Sequence, residues 1–301
     1  MLGETWEEET GAKLGADGLA ERAEFYPAGE VPEGACILTA GVDVQDNRVA
    51  IGLYAWGEGE ECWLIGHTEI YGDPAGQKLW DQVDDLLLRD YPHARGGRVR
   101  VASVGIDSGG HFTSEVYAYA RGRKGKGIFA LKGSSIRNKP PIGKPSKVDI
   151  NYKGQVLKNS AEVYPCGTDT IKSTLFGRMK HNEPGAGFIH FHAEAGQEYF
   201  KQLTAERKGV RYVKGFAVRE WKSKAGDRNE ALDCFVYSYA ALHFLYMRFN
   251  RNTIFEQFAR GVANASKEDE KVQTHGVKQE SPYRPPQRRL QKRTPSFVTS
   301  W

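Results

Sequence analysis

The chain has no cysteine pair at a metal-finger or redox spacing. Its four cysteines, Cys36, Cys62, Cys166 and Cys234, are scattered through 301 residues, with no CxxC and no histidine partner at zinc-finger distance. That excludes a zinc finger and a redox dithiol, and it reads as reduced core thiols of the cytosolic kind. No apolar run is long enough to span a membrane, and the first residues lack the apolar core of a signal peptide, so neither insertion nor export is expected. There is no GxxxxGK followed by Ser or Thr, and Gly109-Gly110 is too little for a nucleotide cradle, so ATP is not hydrolysed by that device. Serine-hydrolase and Cys-His arrangements are also missing.

Charge of one sign is not in large excess, since the net charge is only +4, but the basic residues are unevenly spread. Arg121 to Lys126, Arg137 to Lys158 and Arg284 to Arg293 are basic, while Glu4 to Glu9 is acidic. Local basic stretches of this kind suit a phosphate backbone, although each one taken singly is more ordinarily a solvated surface. Hydrophobic residues make up 40% of the chain, enough for a real core.

The stretch Leu38 to Arg48, LTAGVDVQDNR, places one carboxylate inside what otherwise reads as a buried strand. Leu38, Ala40, Val42 and Val44 fall on one face at period two; Thr39, Gly41, Asp43 and Gln45 fall on the other. An ionised aspartate on a central strand is costly unless it is paired or holds a cation. Two further carboxylates make the cation attractive: Asp107 ends the apolar run RVRVASVGIDSGG, and Asp233 sits inside the apolar helix NEALDCFVYSYAALHFLY. Two strand carboxylates and one from a helix packed on the sheet form the type of site that holds hard divalent ions in α/β nucleases.

The elements can be read in order. Residues 1–34 are polar and Gly/Glu-rich and read as a linker from a preceding domain, with Trp6 and Tyr26 as anchors onto the body. From Leu38 an antiparallel three-strand meander follows, through RVAIGLYAWG and ECWLIGHTEIYG. Pro74 opens an amphipathic helix, Val99 to Asp107 is the next strand, a helix begins near Thr113, and GIFALKG is another short strand. The order β-β-β-α-β-α-β is that of the ribonuclease-H-like fold, an α/β mixed sheet flanked by helices. Ser134 to Asn159 reads as a long loop or flexible hairpin. AEVYPCG reads as a strand, Thr168 to Lys180 as a helix, GFIHFHA as a strand and Ala195 to Arg207 as a helix. RYVKGFAVREWK reads as a hairpin about Lys214-Gly215. A final helix is expected from Asp227 to about Phe249, giving a body over 35–250. Residues 251–301 form a basic, Pro-rich tail, of disordered composition beyond Asn264.

Phosphodiester hydrolysis needs an activated water, neutralised charge at phosphorus and relief for the leaving oxygen. Two Mg²⁺ or Mn²⁺ ions about 4 Å apart supply all three. In that reading Asp43 bridges the ions while Asp107 and Asp233 hold one each. The plainer alternatives are a turn cap for Asp107 and an ion pair with a basic side chain for Asp233. Asp46 has suitable chemistry but lies in an Asp-Asn turn, and Glu230 is one helical turn from Asp233. Asp227 and Glu230 also read as a helix N-cap and its capping-box partner. Lys132 and Lys172 are candidate phosphate contacts, with a solvated lysine as the default. His190 and His192 lie on one strand face without a third ligand and read as satisfied histidines.

Taken together, LTAGVDVQDNR, VGIDSGGHFTSEVY, ALKG, YFKQLTAE and RNEALDCFVYSYAAL resemble the C-terminal nuclease half of phage terminase large subunits of the lambda-like, GpA type, over roughly residues 25 to 250. The resemblance implies a ribonuclease-H-like fold and metal-dependent cutting of concatemeric viral double-stranded DNA, with Asp43, Asp107 and Asp233 at the family's acidic positions. It implies a location in the host cytoplasm beside a terminase ATPase domain, a portal and a small terminase subunit, the ATPase half being absent here. Two alternatives accompany it: a non-catalytic docking module for the portal or the small subunit, and a resolvase-like or transposase-like nuclease of the same fold.

Overall fold

The computed structural model describes residues 15–134, 136–152, 155–213 and 216–276. In chain order the elements are α1 (Ala16–Ala20), β1 (Ala35–Val44), β2 (Arg48–Gly57), β3 (Cys62–Tyr71), α2 (Gln77–Leu87), β4 (Asp90–Pro92), β5 (Arg98–Asp107), α3 (Thr113–Gly122) and β6 (Ile128–Gly133). There follow β7 (Ser146–Tyr152), β8 (Gln155–Cys166), α4 (Thr168–Arg178), β9 (Ile189–His190), α5 (Gly196–Leu203), β10 (Glu206–Val213), β11 (Phe216–Ser223), α6 (Glu230–Tyr246) and α7 (Ile254–Gly276).

One nine-stranded mixed sheet runs in the order β7-β8-β6-β5-β1-β2-β3-β9, with β4 paired to β5, and β10 and β11 form a separate ribbon. The meander β1-β2-β3 is antiparallel, whereas β1, β5, β6 and β8 are mutually parallel neighbours. Helices come between β3 and β5 and between β5 and β6, as parallel crossovers require. The strands β1 and β2 are buried almost end to end, so the sheet is covered on both faces.

Helix α6 lies across β1, β2 and β5, and glycines let it come close. Gly41 of β1 is in register with Gly52 of β2 on one side and Gly105 of β5 on the other. A Cβ on Gly41 would stand 1.8 Å from the Cys234 carbonyl oxygen, and one on Gly105 2.8 Å from that of Tyr237. At Gly52 it would meet the Cys234 Cβ at 2.9 Å. The row is therefore a groove for the helix backbone, the packing role of a strand glycine. Buried hydrogen bonds pin the helix there: the Thr39 Oγ1 accepts from Trp56 Nε1 at 2.7 Å and lies 2.7 Å from the Ser238 hydroxyl. All four cysteines are buried and unpaired, as their spacing suggests.

Several boundaries differ from the sequence reading. Part of the expected linker belongs to the body: Leu19 and Val31 are buried, and the Tyr26 hydroxyl donates to the Leu64 carbonyl at 2.9 Å, while Trp6 lies outside the described residues. The Ser134 to Asn159 insertion contributes β7 and the first half of β8, which extend the sheet at its edge. Of GFIHFHA only Ile189 and His190 pair as strand. The final helix begins at Glu230, with Asn229 and not Asp227 at its N-cap, and the Glu230 carboxylate pairs with Arg48 and Arg228 instead of closing a capping box. Where the tail was expected from 251, α7 forms instead: Ile254 and Val262 are buried, and Phe255 and Phe258 pack against the core, an amphipathic spacing the charged flanks conceal. The rest of that tail, from 277, lies outside the described residues. No helix among the described residues is long and apolar enough to cross a membrane.

Candidate active site

Three elements bring the candidate carboxylates to one end of the sheet. Asp43 is the next residue but one after Gly41, on the strand face that α6 covers. Asp107 is the last residue of the neighbouring parallel strand β5. Asp233 lies in the first turn of α6, next to Cys234, whose carbonyl is held against Gly41. The glycine row thus sets how far Asp233 stands from Asp43.

Asp43 is 4% exposed and has no cationic hydrogen-bond partner among the described residues; its Oδ2 accepts from Gln45 Nε2 at 2.6 Å. Burial, followed by repulsion from Asp233 and a weaker push from Asp107 and Glu230, raises its carboxyl from the ordinary 3.8 to about 8, against the Gln45 bond. Asp107 is raised chiefly by burial and is held back by the N–H groups of Gly109 and Ser108, the Tyr237 hydroxyl and the charge of Lys132. It therefore does cap the SGG turn while also facing the other two aspartates. Asp233 is raised by burial and by Glu206 and Asp107, which outweigh Lys172.

Both oxygens of Asp233 are occupied. Lys172 Nζ stands 3.1 Å from Oδ1, and Asn229 Nδ2 donates to Oδ2 at 2.9 Å. The same two donors meet at Glu206 Oε1, at 2.6 Å for Lys172 and 2.8 Å for Asn229. Burial opposes the charge of Lys172, but Asp233 and Glu206 raise its amine above the ordinary value. No group of three His, Cys, Asp or Glu side chains among the described residues is arranged as a ready metal cage. The donor chemistry still suits a hard divalent cation: carboxylate oxygens, one of them buried without a counter-charge and pushed toward protonation by its neighbours.

The remaining candidates fall in different places. Asp46 is exposed and pairs with His111 at 2.8 Å, away from the buried carboxylates. Glu230 is buried in an ionic network with Arg48, Arg228 and, through both arginines, Glu69. Lys132 is exposed at the end of β6, where its charge reaches Asp107. Lys172 is 9% exposed and turned inward to carboxylates, not outward to solvent. His190 is satisfied by Glu24 and Glu61, but neither ring nitrogen of the buried His192 has a hydrogen-bond partner among the described residues.

Four participants were not singled out from the sequence. Gln45 shares the strand face of Asp43 at i+2, and Asn229 and Tyr237 flank Asp233 at i−4 and i+4, so periodicity alone points to these three. Glu206 carries no such signal, because it arrives from the base of the β10-β11 ribbon. Beside this cluster a cleft of about 450 Å³ is lined by Arg137, Thr168, Lys172, Glu206, Arg219 and Trp221, among others.

The family model described as the terminase large subunit gpA endonuclease domain matches residues 1–254. The chain is 34% identical over 256 residues to a protein named "Terminase, large subunit" of Escherichia phage lambda, and 35% identical over 257 residues to one of the same name from Enterobacteria phage P21. Each alignment covers 82% of this chain and 38% of the relative, so the chain spans well under half the length of the curated relatives it matches. No solved structure matches it. A family match over most of the chain, with two relatives above 30% identity, fixes its membership: the chain belongs to the terminase large subunit gpA endonuclease-domain family.

Proposed function

We propose that this chain is a metal-dependent endonuclease that cuts double-stranded viral DNA during genome packaging, on a ribonuclease-H-like sheet. The observation that carries the reading is the convergence of Asp43, Asp107 and Asp233 from β1, β5 and α6, close enough for the first to be driven upward by the other two. The sheet path β3-β2-β1-β5-β6, antiparallel on the meander side and parallel beyond it, supports the fold assignment.

Asp43, Asp107 and Asp233 would hold Mg²⁺ or Mn²⁺, which supplies an activated water and neutralises charge at the phosphate. Asp43, buried and facing the charges of Asp233 and Asp107, is the member whose ionised form a bound cation would relieve most. Gln45 orients Asp43, and the Gly109 and Ser108 N–H groups with the Tyr237 hydroxyl orient Asp107. Exposed Lys132, beside Asp107, is placed to meet a phosphate of the duplex. The partners this reading entails are an ATPase domain, a portal and a small terminase subunit, in the host cytoplasm.

The test is nicking and linearisation of supercoiled plasmid with Mg²⁺, with Mn²⁺ and with EDTA, beside Asp43→Asn, Asp107→Asn and Asp233→Asn. Metal-dependent cutting lost in all three folded variants is the expected result. Cutting that survives the substitutions refutes the site. Absence of cutting with either metal favours a docking module, and preference for branched over linear DNA favours a resolvase-like enzyme.

A further inference from the structure

The Lys172 ammonium lies against two carboxylates at the edge of the proposed metal site, at 2.6 Å from Glu206 and 3.1 Å from Asp233. It reaches them from α4, a helix that contributes no carboxylate to the site, and it is almost completely buried. Burying a lysine costs free energy that a surface position avoids, and among the described residues carboxylates on two other elements compensate it. Asn229 repeats the same bridge with a neutral donor, so the geometry holds Glu206 and Asp233 together from two sides. In the proposed site the Asp233 carboxylate is also a metal ligand, and a carboxylate oxygen facing an ammonium at hydrogen-bond distance is poorly available to a divalent ion.

Resting on the nuclease reading above, we propose that Lys172 is a positioning residue that takes one cation place of the site. Its ammonium neutralises Asp233 and Glu206, so the free protein accepts one divalent ion, on the Asp43 and Asp107 side. A second ion enters only where Lys172 is withdrawn. The pair also ties the metal site to the β10-β11 ribbon, since Glu206 is the first residue of β10 and the cleft beside it is lined by Arg219 and Trp221 of β11. Displacement of that ribbon by DNA seated in the cleft would draw Glu206 away from Lys172 and change the charge at Asp233.

Mn²⁺ alone is the probe, titrated into the full chain and counted by electron paramagnetic resonance of the free ion and by calorimetry. Wild type is expected to bind one ion per chain and Lys172→Arg one. Lys172→Gln is expected to bind two. Because Lys172→Gln leaves Glu206 and Asp233 without a counter-charge, the charge-balanced double variant Lys172→Met with Glu206→Gln is measured beside it, with circular dichroism to confirm folding; it too gains an ion. A second ion in wild type, or one ion still in a folded variant lacking Lys172, overturns the proposal while the nuclease reading stands. Wild type that binds no Mn²⁺, with Asp43→Asn unchanged from it, removes the metal reading itself.

Discussion

Asp43→Asn is expected to stabilise the metal-free protein while destroying its metal response. A carboxylate whose folded value lies near 8 instead of 3.8 takes up a proton on folding. Its contribution is therefore best below 3.8 and worsens as pH rises through the folded value. At pH 7 the interval above 3.8 corresponds to about 4 kcal/mol at about 1.4 kcal/mol per unit, an upper bound because side chains and water relax around a buried charge. Asn keeps an acceptor for Gln45 and carries no charge, so about half of that, on the order of 2 kcal/mol, is a reasonable recovery. For a domain of this size that raises Tm by about 4–8 °C. Thermal melts in EDTA at pH 5, 6, 7 and 8 provide the assay, and the gap between variant and wild type should widen with pH. Saturating Mn²⁺ should invert the order, since an ion at 100 times its Kd adds about 2.7 kcal/mol to the protein that binds it. An Asn variant that melts at or below wild type at every pH in EDTA refutes the argument that this carboxylate is buried without compensation.

Other substitutions test the packing and the remaining buried charges. Gly41→Ala places a methyl 1.8 Å from the Cys234 carbonyl, so α6 must lift; urea unfolding should show a loss at or above about 3 kcal/mol, the upper end for overpacking, together with weaker Mn²⁺ binding. For Glu60, burial would raise the carboxyl, but hydrogen bonds and charge from Arg178 and the Tyr239 hydroxyl hold it at about 2. Its stabilisation, about 3 kcal/mol, is present above the ordinary 4.5 and is lost as pH falls from there toward 2, so Glu60→Gln should flatten the acid limb of a stability curve. His67 is half-buried with both ring nitrogens enclosed and neither hydrogen-bonded among the described residues, and desolvation lowers it from 6.5 to about 4. Folding therefore excludes a proton there, and stability falls as pH drops from 6.5 to 4; His67→Phe should melt with less pH dependence over that window, and an unchanged slope counts against it.

The sequence by itself determined the elements that repeat a period. The alternation through Leu38 to Gln45 marked β1 and put Asp43 on one face, and the meander followed from turn residues at Asp46-Asn47 and at Gly57 to Glu60. Asp107, at the end of one apolar run, and Asp233, inside another, stood out as carboxylates in the same way, and the structure brings their charges to bear on Asp43. Three things depended on tertiary contact. The closeness of α6 to the sheet rests on Gly41, Gly52 and Gly105, which are separate in sequence and meet only through strand register. The helix α7, where the tail was expected from 251, forms because Ile254 and Val262 find a buried surface, which the composition of that segment alone does not advertise. Lys172 and Glu206 become partners of Asp233 only when α4 and the β10-β11 ribbon dock against α6, 61 and 27 residues from it along the chain. Local periodicity reports which face a residue lies on, but which charges face one another across elements is settled by how the faces pack.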